Sequence, residues 1–427
     1  PSSGHYKRVR VNSLIFAASF VKRFLDMGLN RTSKIFIPVL TVVMAAMVAM
    51  SPFAIDTYIA ALPDIAEFYG IKLNIAELTI TLYFLGFAFG NFIGGPISDT
   101  FGRKTVALSG IALYGIASLL ITTTTKIEYM LLLRVIQAFG GGFATVTANV
   151  FVRDWYSGKQ VARFVTIISM IIMLAPLFAP ILGAGLIHWY GWKSIFIFLF
   201  SFSILLFLSL WLLIPESRDP EQITRKITGK QLIGKYKLFF SSKQSTILLI
   251  AISLPMSGLY IFITAASFIY IEYFGISQLQ FPLFFGANVV LNIMLSFLNT
   301  ILLRKYNPEQ ILRVGLLLQL FAALVLAISV CMPNPQLWSV FASIVLFVGS
   351  LGLVFGNGTA TILNHNPEVA GSANATIGIT RFAFSALIGS IMAMFHTGDL
   401  IPFGIVLFLC SLSGNILYAR ALKVSAQ

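Results

Sequence analysis

Twelve long apolar segments dominate this sequence, and they limit its fold more strictly than any other feature. A helix needs about 20 apolar residues to cross a hydrocarbon core about 30 Å thick, and each segment supplies such a run. Only 10% of the residues are charged, whereas a soluble domain carries about 25%. A soluble enzyme, a secreted disulfide scaffold and a disordered chain are therefore excluded. The segments lie near 35–62, 74–97, 104–123, 127–149, 160–188, 194–214, 245–271, 281–302, 309–332, 337–362, 370–394 and 400–420.

A polar stretch rich in Lys, Gln and Ser divides the segments into two groups of six. The second group repeats the hydropathy of the first with little identity between individual residues. We therefore predict an all-α membrane protein with twelve transmembrane helices. Its parts are an N-terminal cytoplasmic arm at 1–34, a six-helix half at 35–214, a cytoplasmic linker at 215–244 and a second six-helix half at 245–421.

The positions of the basic residues predict the orientation. The net charge is +14, and most of the 29 Lys and Arg residues lie in the arm, the even-numbered connections, the central linker and the C-terminal tail. Lys72, Lys126 and Lys193 lie on the other side, and Arg134 and Arg381 lie inside segments. Because basic residues concentrate in cytoplasmic loops, both termini are predicted to be cytoplasmic. This distribution argues against a nucleic-acid partner, since the charges form loop ends and no continuous binding face.

The N-terminal arm has an amphipathic pattern over 11–30. Most positions are apolar, while its polar residues share a sector about 100° wide on a helix. We predict a helix lying on the inner membrane surface; a partly disordered arm is the alternative. A cleaved signal peptide is not predicted, because the arm lacks a small-residue cleavage pattern and precedes a full span.

Asp56 is the acidic residue that the sequence places well inside a segment, whereas the other carboxylates flank loops or segment ends. An ionised Asp in hydrocarbon costs several kcal/mol, so such residues usually face a cavity and serve ion or proton pathways. We predict that Asp56 binds the coupling proton. The alternative is a structural Asp that satisfies backbone groups near Pro52 and Pro63.

Two arginines lie inside segments. Arg134 needs a partner or a wet cavity, and since it stays protonated it either takes part in proton coupling by tuning the pKa of a neighbouring carboxylate or holds a group of carbonyls. Arg381 has no acidic residue nearby in sequence. It either contacts an anionic substrate or lines water and extends toward the membrane surface.

Other kinds of chemistry find no support in the sequence. The four histidines and two cysteines are scattered, so neither a catalytic dyad nor a metal cluster is predicted. The glycines at 140–142 lack the Lys-Ser/Thr that completes a phosphate loop and are better suited to close helix packing. We therefore expect no cofactor besides protons as the coupling ion.

The stretch GGPISDTFGRKTVAL, residues 94–108, resembles the loop signature of the major facilitator superfamily. That resemblance implies the two-half major facilitator fold and a latch that braces the cytoplasmic gate. Physically, glycine permits a tight turn while the acid can accept hydrogen bonds from the arginine. The signature residues are Gly95, Asp99, Gly102, Arg103 and Lys104.

Arg134 begins an R-x-x-Q-x-x-G pattern that resembles a further motif of this superfamily. AIDTYIAALPDIA, with Asp56 in register, and the stretches 262–277 and 370–390 are similar to the Bcr/CflA drug-resistance branch of drug:proton antiporters. APLFAPILGAG resembles the antiporter motif of exporters, in which prolines bend a helix and glycines let it pack closely. Its key members are Pro176, Pro180 and Gly183. This sequence departs from the branch at Arg381 and in its second-half loop at 302–310.

These features and the resemblance together imply a proton-coupled exporter of small organic compounds in the bacterial inner membrane, acting by alternating access. Its partners would be a small-molecule substrate and the lipid bilayer, with a monomer expected. The alternatives are export of an anionic metabolite such as a carboxylate siderophore, proton-coupled import, and a membrane-embedded enzyme, which would need clustered acids or histidines. Candidate substrate-cavity residues are Tyr58, Asn149, Met173, Tyr260, Asn288, Asn292, Asn357 and Arg381.

Overall fold

The computed structural model describes residues 36–155, 159–218, 243–364, 370–394 and 398–424, together with residues 223 and 240. The predicted amphipathic arm lies outside the described residues. We number the long helices of the described part as α1 Phe36–Asp56, α2 Leu73–Phe101, α3 Arg103–Ile121, α4 Ile127–Trp155, α5 Lys159–Tyr190, α6 Lys193–Leu213, α7 Lys243–Ser267, α8 Phe281–Leu302, α9 Pro308–Val330, α10 Leu337–Asn364, α11 Ala370–Met394 and α12 Ile401–Val424.

Shorter elements extend two of these helices. A 3₁₀ turn at Ile59–Ala61 and a helix at Leu62–Tyr69 follow α1, and a π-helical stretch at Phe268–Tyr273 continues α7. Ten helical stretches of the described part are long and apolar enough to cross a membrane, while Leu174–Tyr190 and Thr376–Met392 are shorter apolar stretches. The prediction of an all-helical chain with many membrane-crossing helices is therefore confirmed.

The boundary between α2 and α3 follows from one glycine. Gly102 has φ +95°, a conformation that side chains with a Cβ rarely adopt. It ends α2 at Phe101 and lets α3 begin at Arg103 in the opposite direction. We call this end of the bundle, where the loop signature lies, the signature end, and the other the opposite end.

In the first half α4 packs against α1, α2 and α3. Three successive glycines make this possible, because successive helical residues point about 100° apart. A Cβ on Gly140 would lie 2.7 Å from the Tyr114 nitrogen of α3, and one on Gly142 would lie 2.7 Å from the Asn91 nitrogen of α2. A Cβ on Gly141 would lie 2.8 Å from the Ser51 hydroxyl of α1. Each glycine thus admits a different neighbouring helix.

The two halves meet in their middle and at the opposite end. α2 packs against α11 and α7, α5 packs against α8, and the 3₁₀ turn after α1 packs against α7. At the opposite end the Gln278 amide donates a 2.7 Å hydrogen bond to Asp64. The hydrogen bond between Gln278 and Asp64, together with the packing of the 3₁₀ turn on α7, therefore closes the opposite end of the bundle.

Candidate functional site

Asp56 lies where the first half meets the second. It is the last residue of α1 and only 4% exposed. In the described part of the chain, no hydrogen bond or ion pair engages its carboxylate. A buried, unpaired carboxylate is costly when it is ionised, so this position favours the protonated form whenever water and cations are absent.

Tyr260 of α7 connects Asp56 to an aromatic cluster, which we define as Phe84, Phe87, Tyr260 and Phe382. The ring centre of Tyr260 lies 4.8 Å from that of Phe84 and 4.7 Å from that of Phe382, and Phe87 lies 5.1 Å from Phe382. The cluster joins α2 of the first half to α7 and α11 of the second. Asp56 lies close enough to the Tyr260 hydroxyl for the two groups to interact electrostatically.

Arg381 of α11 lies beside the aromatic cluster. Its guanidinium carbon is 5.5 Å from the Tyr260 ring centre, 5.0 Å from that of Phe382 and 4.6 Å from that of Phe355. Its Nε is buried without a hydrogen-bond partner, and it forms no ion pair within the described residues. The structure thus brings Tyr260 near both a carboxyl group, that of Asp56, and a guanidinium group, that of Arg381.

Arg134 lies fully buried inside the first half. Its Nη1 donates hydrogen bonds to the Ala54 carbonyl at 3.2 Å and to the Gln137 amide oxygen at 2.8 Å. Its guanidinium carbon lies 4.3 Å from the Tyr58 ring centre and 4.5 Å from that of Tyr83. Of the two predicted roles, these contacts agree with a carbonyl partner, since none of the described ion pairs includes Arg134.

The other predicted cavity residues are not gathered beside Asp56. Tyr58 is fully buried, and its hydroxyl lies 2.8 Å from that of Thr79 within the first half. In the second half, the amides of Asn288, Asn292 and Asn357 donate to backbone carbonyls of α8 and α10. Asn292 and Asn357 connect α8 with α10, whereas the Asn288 amide bonds within α8. The side chains of Asn149 and Met173 lie outside the described residues.

The loop signature forms a compact ion-pair network at the signature end. The Arg103 guanidinium lies 2.6 Å from the Asp99 carboxylate and 3.1 Å from that of Asp154, at the end of α4. It also donates to the Ser98 hydroxyl at 2.7 Å. Because the Arg103 side chain is only 6% exposed, the network ties α2, α3 and α4 together in a partly desolvated place, where ion pairs are strongest.

The chain that follows α6 adds an anionic cap to this network. The Glu216 carboxylate accepts hydrogen bonds of 2.9 Å from the backbone N–H groups of Arg103 and Lys104, which begin α3. An acid is well placed there because the first N–H groups of a helix lack partners within it. Arg218 donates to the Asp99 carbonyl and lies 3.6 Å from its carboxylate.

The predicted antiporter motif places α5 directly against α1. A Cβ on Gly183 would lie 2.8 Å from the carbonyl carbon of Thr57, whereas one on Gly185 would meet only the Trp189 ring, at 3.7 Å. Pro176 and Pro180 lie inside α5. Gly183 thus permits the backbone next to Asp56 to contact α5.

Sequence reasoning does not single out two kinds of residue that the structure places at these sites. The sequence puts Glu77 at the edge of a loop, but Glu77 is only 8% exposed, and its Oε1 has no hydrogen-bond partner among the described residues. Glu77 precedes Thr81 by four residues and Phe84 by seven, and residues at this spacing share one face of a helix. That face of α2 meets the second half. Asp154 and Glu216 carry no comparable signal, since they lie far from Arg103 in sequence.

The family profile described as Major Facilitator Superfamily matches residues 42–390. The chain is 30% identical over 366 residues to the "Bicyclomycin resistance protein homolog" of Haemophilus influenzae, covering 86% of this chain and 91% of that protein. It is 24% identical to "Multidrug resistance protein D" of Escherichia coli, covering 83% and 88%.

A solved structure shares the overall fold. The crystal structure of the D-xylose-proton symporter superposes with a TM-score of 0.70 at 14% identity and covers 89% of this chain and 97% of that one. At so low an identity, the likeness concerns the arrangement of helices and not the chemistry of the cavity.

Proposed function

Because the chain belongs to the Major Facilitator Superfamily, whose members are transporters and not enzymes, we propose that it exports small organic compounds in exchange for protons. The observation that carries this proposal is the place of Asp56: a buried carboxylate without a charge partner in the described chain, at the junction between the halves. The antibiotic and multidrug resistance named in two similar proteins supports export over import, as does the antiporter motif.

In the proposed cycle the two halves rock about the cavity between them, as in alternating access. The distribution of Lys and Arg makes the signature end cytoplasmic, so both termini lie in the cytoplasm and the closed opposite end faces outward. In the outward-open state Asp56 takes a proton from outside. After the halves rock to the inward-open state, substrate arriving from the cytoplasm displaces that proton, which is released to the cytoplasm.

The setting proposed for this cycle is the bacterial inner membrane. We further propose that the chain crosses the membrane twelve times, acts as a monomer and uses protons as its coupling ion. The domain limits predicted from the sequence, with a cytoplasmic linker between two six-helix halves, remain part of it. No metal or organic cofactor enters any step.

The proposed function can be tested by deleting the gene and exposing the strain to a panel of antibiotics and dyes, with its medium analysed for metabolites. Hypersensitivity that the intact gene reverses, together with proton-driven uptake of the same compound into everted membrane vesicles, is the expected result. If vesicles accumulate no compound from the panel and the medium is unchanged, export is the wrong function.

A second candidate function is export of an anionic metabolite. Arg381 favours it, because its guanidinium has no acidic partner in the described chain and one buried nitrogen lacks any partner. A cation held over aromatic rings in this way is available to a carboxylate that enters the cavity.

Arg381→Gln separates the two candidates. If the substrate is a carboxylate, its binding should weaken by about 1.5–3 kcal/mol, the scale of a hydrogen bond to a charged group. A cationic compound should bind equally well or better, since a like charge is removed. Titrations of one carboxylate and one cation against the purified protein measure both, with Arg313→Gln as an exposed control. Equal small effects on both compounds would leave Arg381 with a structural role alone.

The latch should set the rate of transport and not its selectivity. Asp99→Ala and Arg103→Ala each remove the shortest ion pair of the signature end, far from the aromatic cluster. Because a partly buried ion pair is lost, we expect roughly tenfold slower transport, equivalent to about 1.4 kcal/mol, with the same ranking of substrates. Initial rates for several substrates measure this, with Arg304→Ala in the second-half loop as control. A changed ranking at an unchanged rate would place the latch in the binding site.

A further inference from the structure

Glu77 belongs to the first half but its side chain enters a cavity formed by the second. The residues that line this cavity with it come from α7, its π-helical extension, α11 and the start of α12. They include Thr264, Gly389 and Asp399. Glu77 is 8% exposed, and its Oε1 has no partner in the described chain. The cavity lies at the opposite end, on the outer side of the aromatic cluster.

Among the described residues, the charged groups that face Glu77 are acidic. Asp399, before α12, lines the same cavity, and the charge of Glu272, after α7, acts on Glu77. Within the described residues no lysine, arginine or histidine lines the cavity. An ionised Glu77 would therefore be buried without a counter-charge and beside two like charges, which is unfavourable on both counts.

We propose that Glu77 is a second proton-binding site, distinct from Asp56, and that its proton holds the opposite end of the bundle closed. The closed arrangement accepts a neutral carboxyl in the cavity. When Glu77 loses its proton, repulsion from Asp399 and Glu272 and the gain in hydration both favour separation of α2 from α7 and α11. The opposite end then opens and Glu77 reaches water.

The cavity favours a proton over a metal ion. Groups of three or more His, Cys, Asp or Glu that could hold a metal are absent from the described residues. Of the neighbouring polar groups, the Thr264 hydroxyl already donates to the Tyr260 carbonyl at 3.0 Å. A proton satisfies the carboxyl alone, whereas a cation needs several oxygen ligands.

The inference rests on alternating access, which the proposed function includes, but its test needs neither substrate nor a gradient. Thr125→Cys and Asn334→Cys place spin labels in exposed loops of the two halves at the opposite end, in a background with Cys331→Ser and Cys410→Ser. The distance between the labels is then measured in purified protein from mildly acidic to mildly basic pH. We expect short distances at low pH and a growing long-distance population as pH rises.

Glu77→Gln cannot ionise, so it should lose more than half of this pH-dependent change and keep the short distance. Glu67→Gln removes an exposed acid from the same region and should respond as the parent does. Glu77→Asp, which retains a carboxyl, should keep the response and shows that the site tolerates substitution. A Glu77→Gln protein that responds like the parent overturns the proposal. So does a change of distance at constant pH when sodium replaces N-methylglucamine. If the protein transports no compound, the proposed function is wrong, but the distances between the spin labels would not be affected by that result.

Discussion

Asp56→Asn should leave the protein folded and unable to move substrate against its gradient. The amide keeps the shape of the carboxyl but cannot bind and release a proton, so the exchange of proton for substrate stops. Burial should not become harder, since an amide carries no charge and Asp56 makes no ion pair in the described chain that the change would break.

The measurement is transport into proteoliposomes with an imposed pH gradient. We expect uphill transport to fall to background, while exchange of labelled for unlabelled substrate across the membrane persists because it needs no net proton movement. Glu128→Gln, at an exposed acid of the same half, should transport normally. Uphill transport by Asp56→Asn would show that the coupling proton binds elsewhere, and Glu77 would then be the residue to examine.

Gly183→Ala should disable the protein by a different route. Its Cβ would lie 2.8 Å from the carbonyl carbon of Thr57, and that neighbour is backbone and cannot rotate away. Overpacking of this kind costs about 1–3 kcal/mol and pushes α5 from α1 beside Asp56. We expect a lower melting temperature in detergent and strongly reduced transport.

Gly185→Ala supplies the matched control. It adds the same methyl group two residues further along α5, where a Cβ would meet only the Trp189 ring at an ordinary 3.7 Å. Helix propensity should gain from Ala at both sites, so any difference between the variants reports the contact with Thr57. Equal melting temperatures for the two proteins would mean that α1 and α5 can separate without loss.

The sequence could predict those features that depend on residues close to one another along the chain. Segment lengths follow from apolar runs, and the turn between α2 and α3 follows from Gly102 in its motif. Asp56 was identifiable because a single acid interrupts an apolar run. Such signals need only neighbours along the chain, which a sequence displays directly.

The partners of those residues were not predictable in the same way. Glu216 reaches the N-terminus of α3 from beyond α6, and Asp154 reaches Arg103 from α4. The polarity of Asn288 and Asn357 suggested a cavity, but their amides bond to carbonyls inside the second half. Polarity shows that a buried group needs a partner, whereas only the packing of helices decides whether that partner is backbone or substrate.

The glycines at 140–142 have a mechanical consequence. At Gly140 and Gly142 backbone meets backbone, so no layer of side chains is left there to change rotamer and absorb displacement, and packed interiors are poorly compressible. A movement of α2, α3 or α4 is therefore passed on to the other two with little loss. These three helices should move as one rigid unit, so that a small shift near one end becomes a larger displacement at the signature end. A methyl group at Gly142 would push α2 away from α4. It would therefore change the angle between these two helices before it changes any binding site.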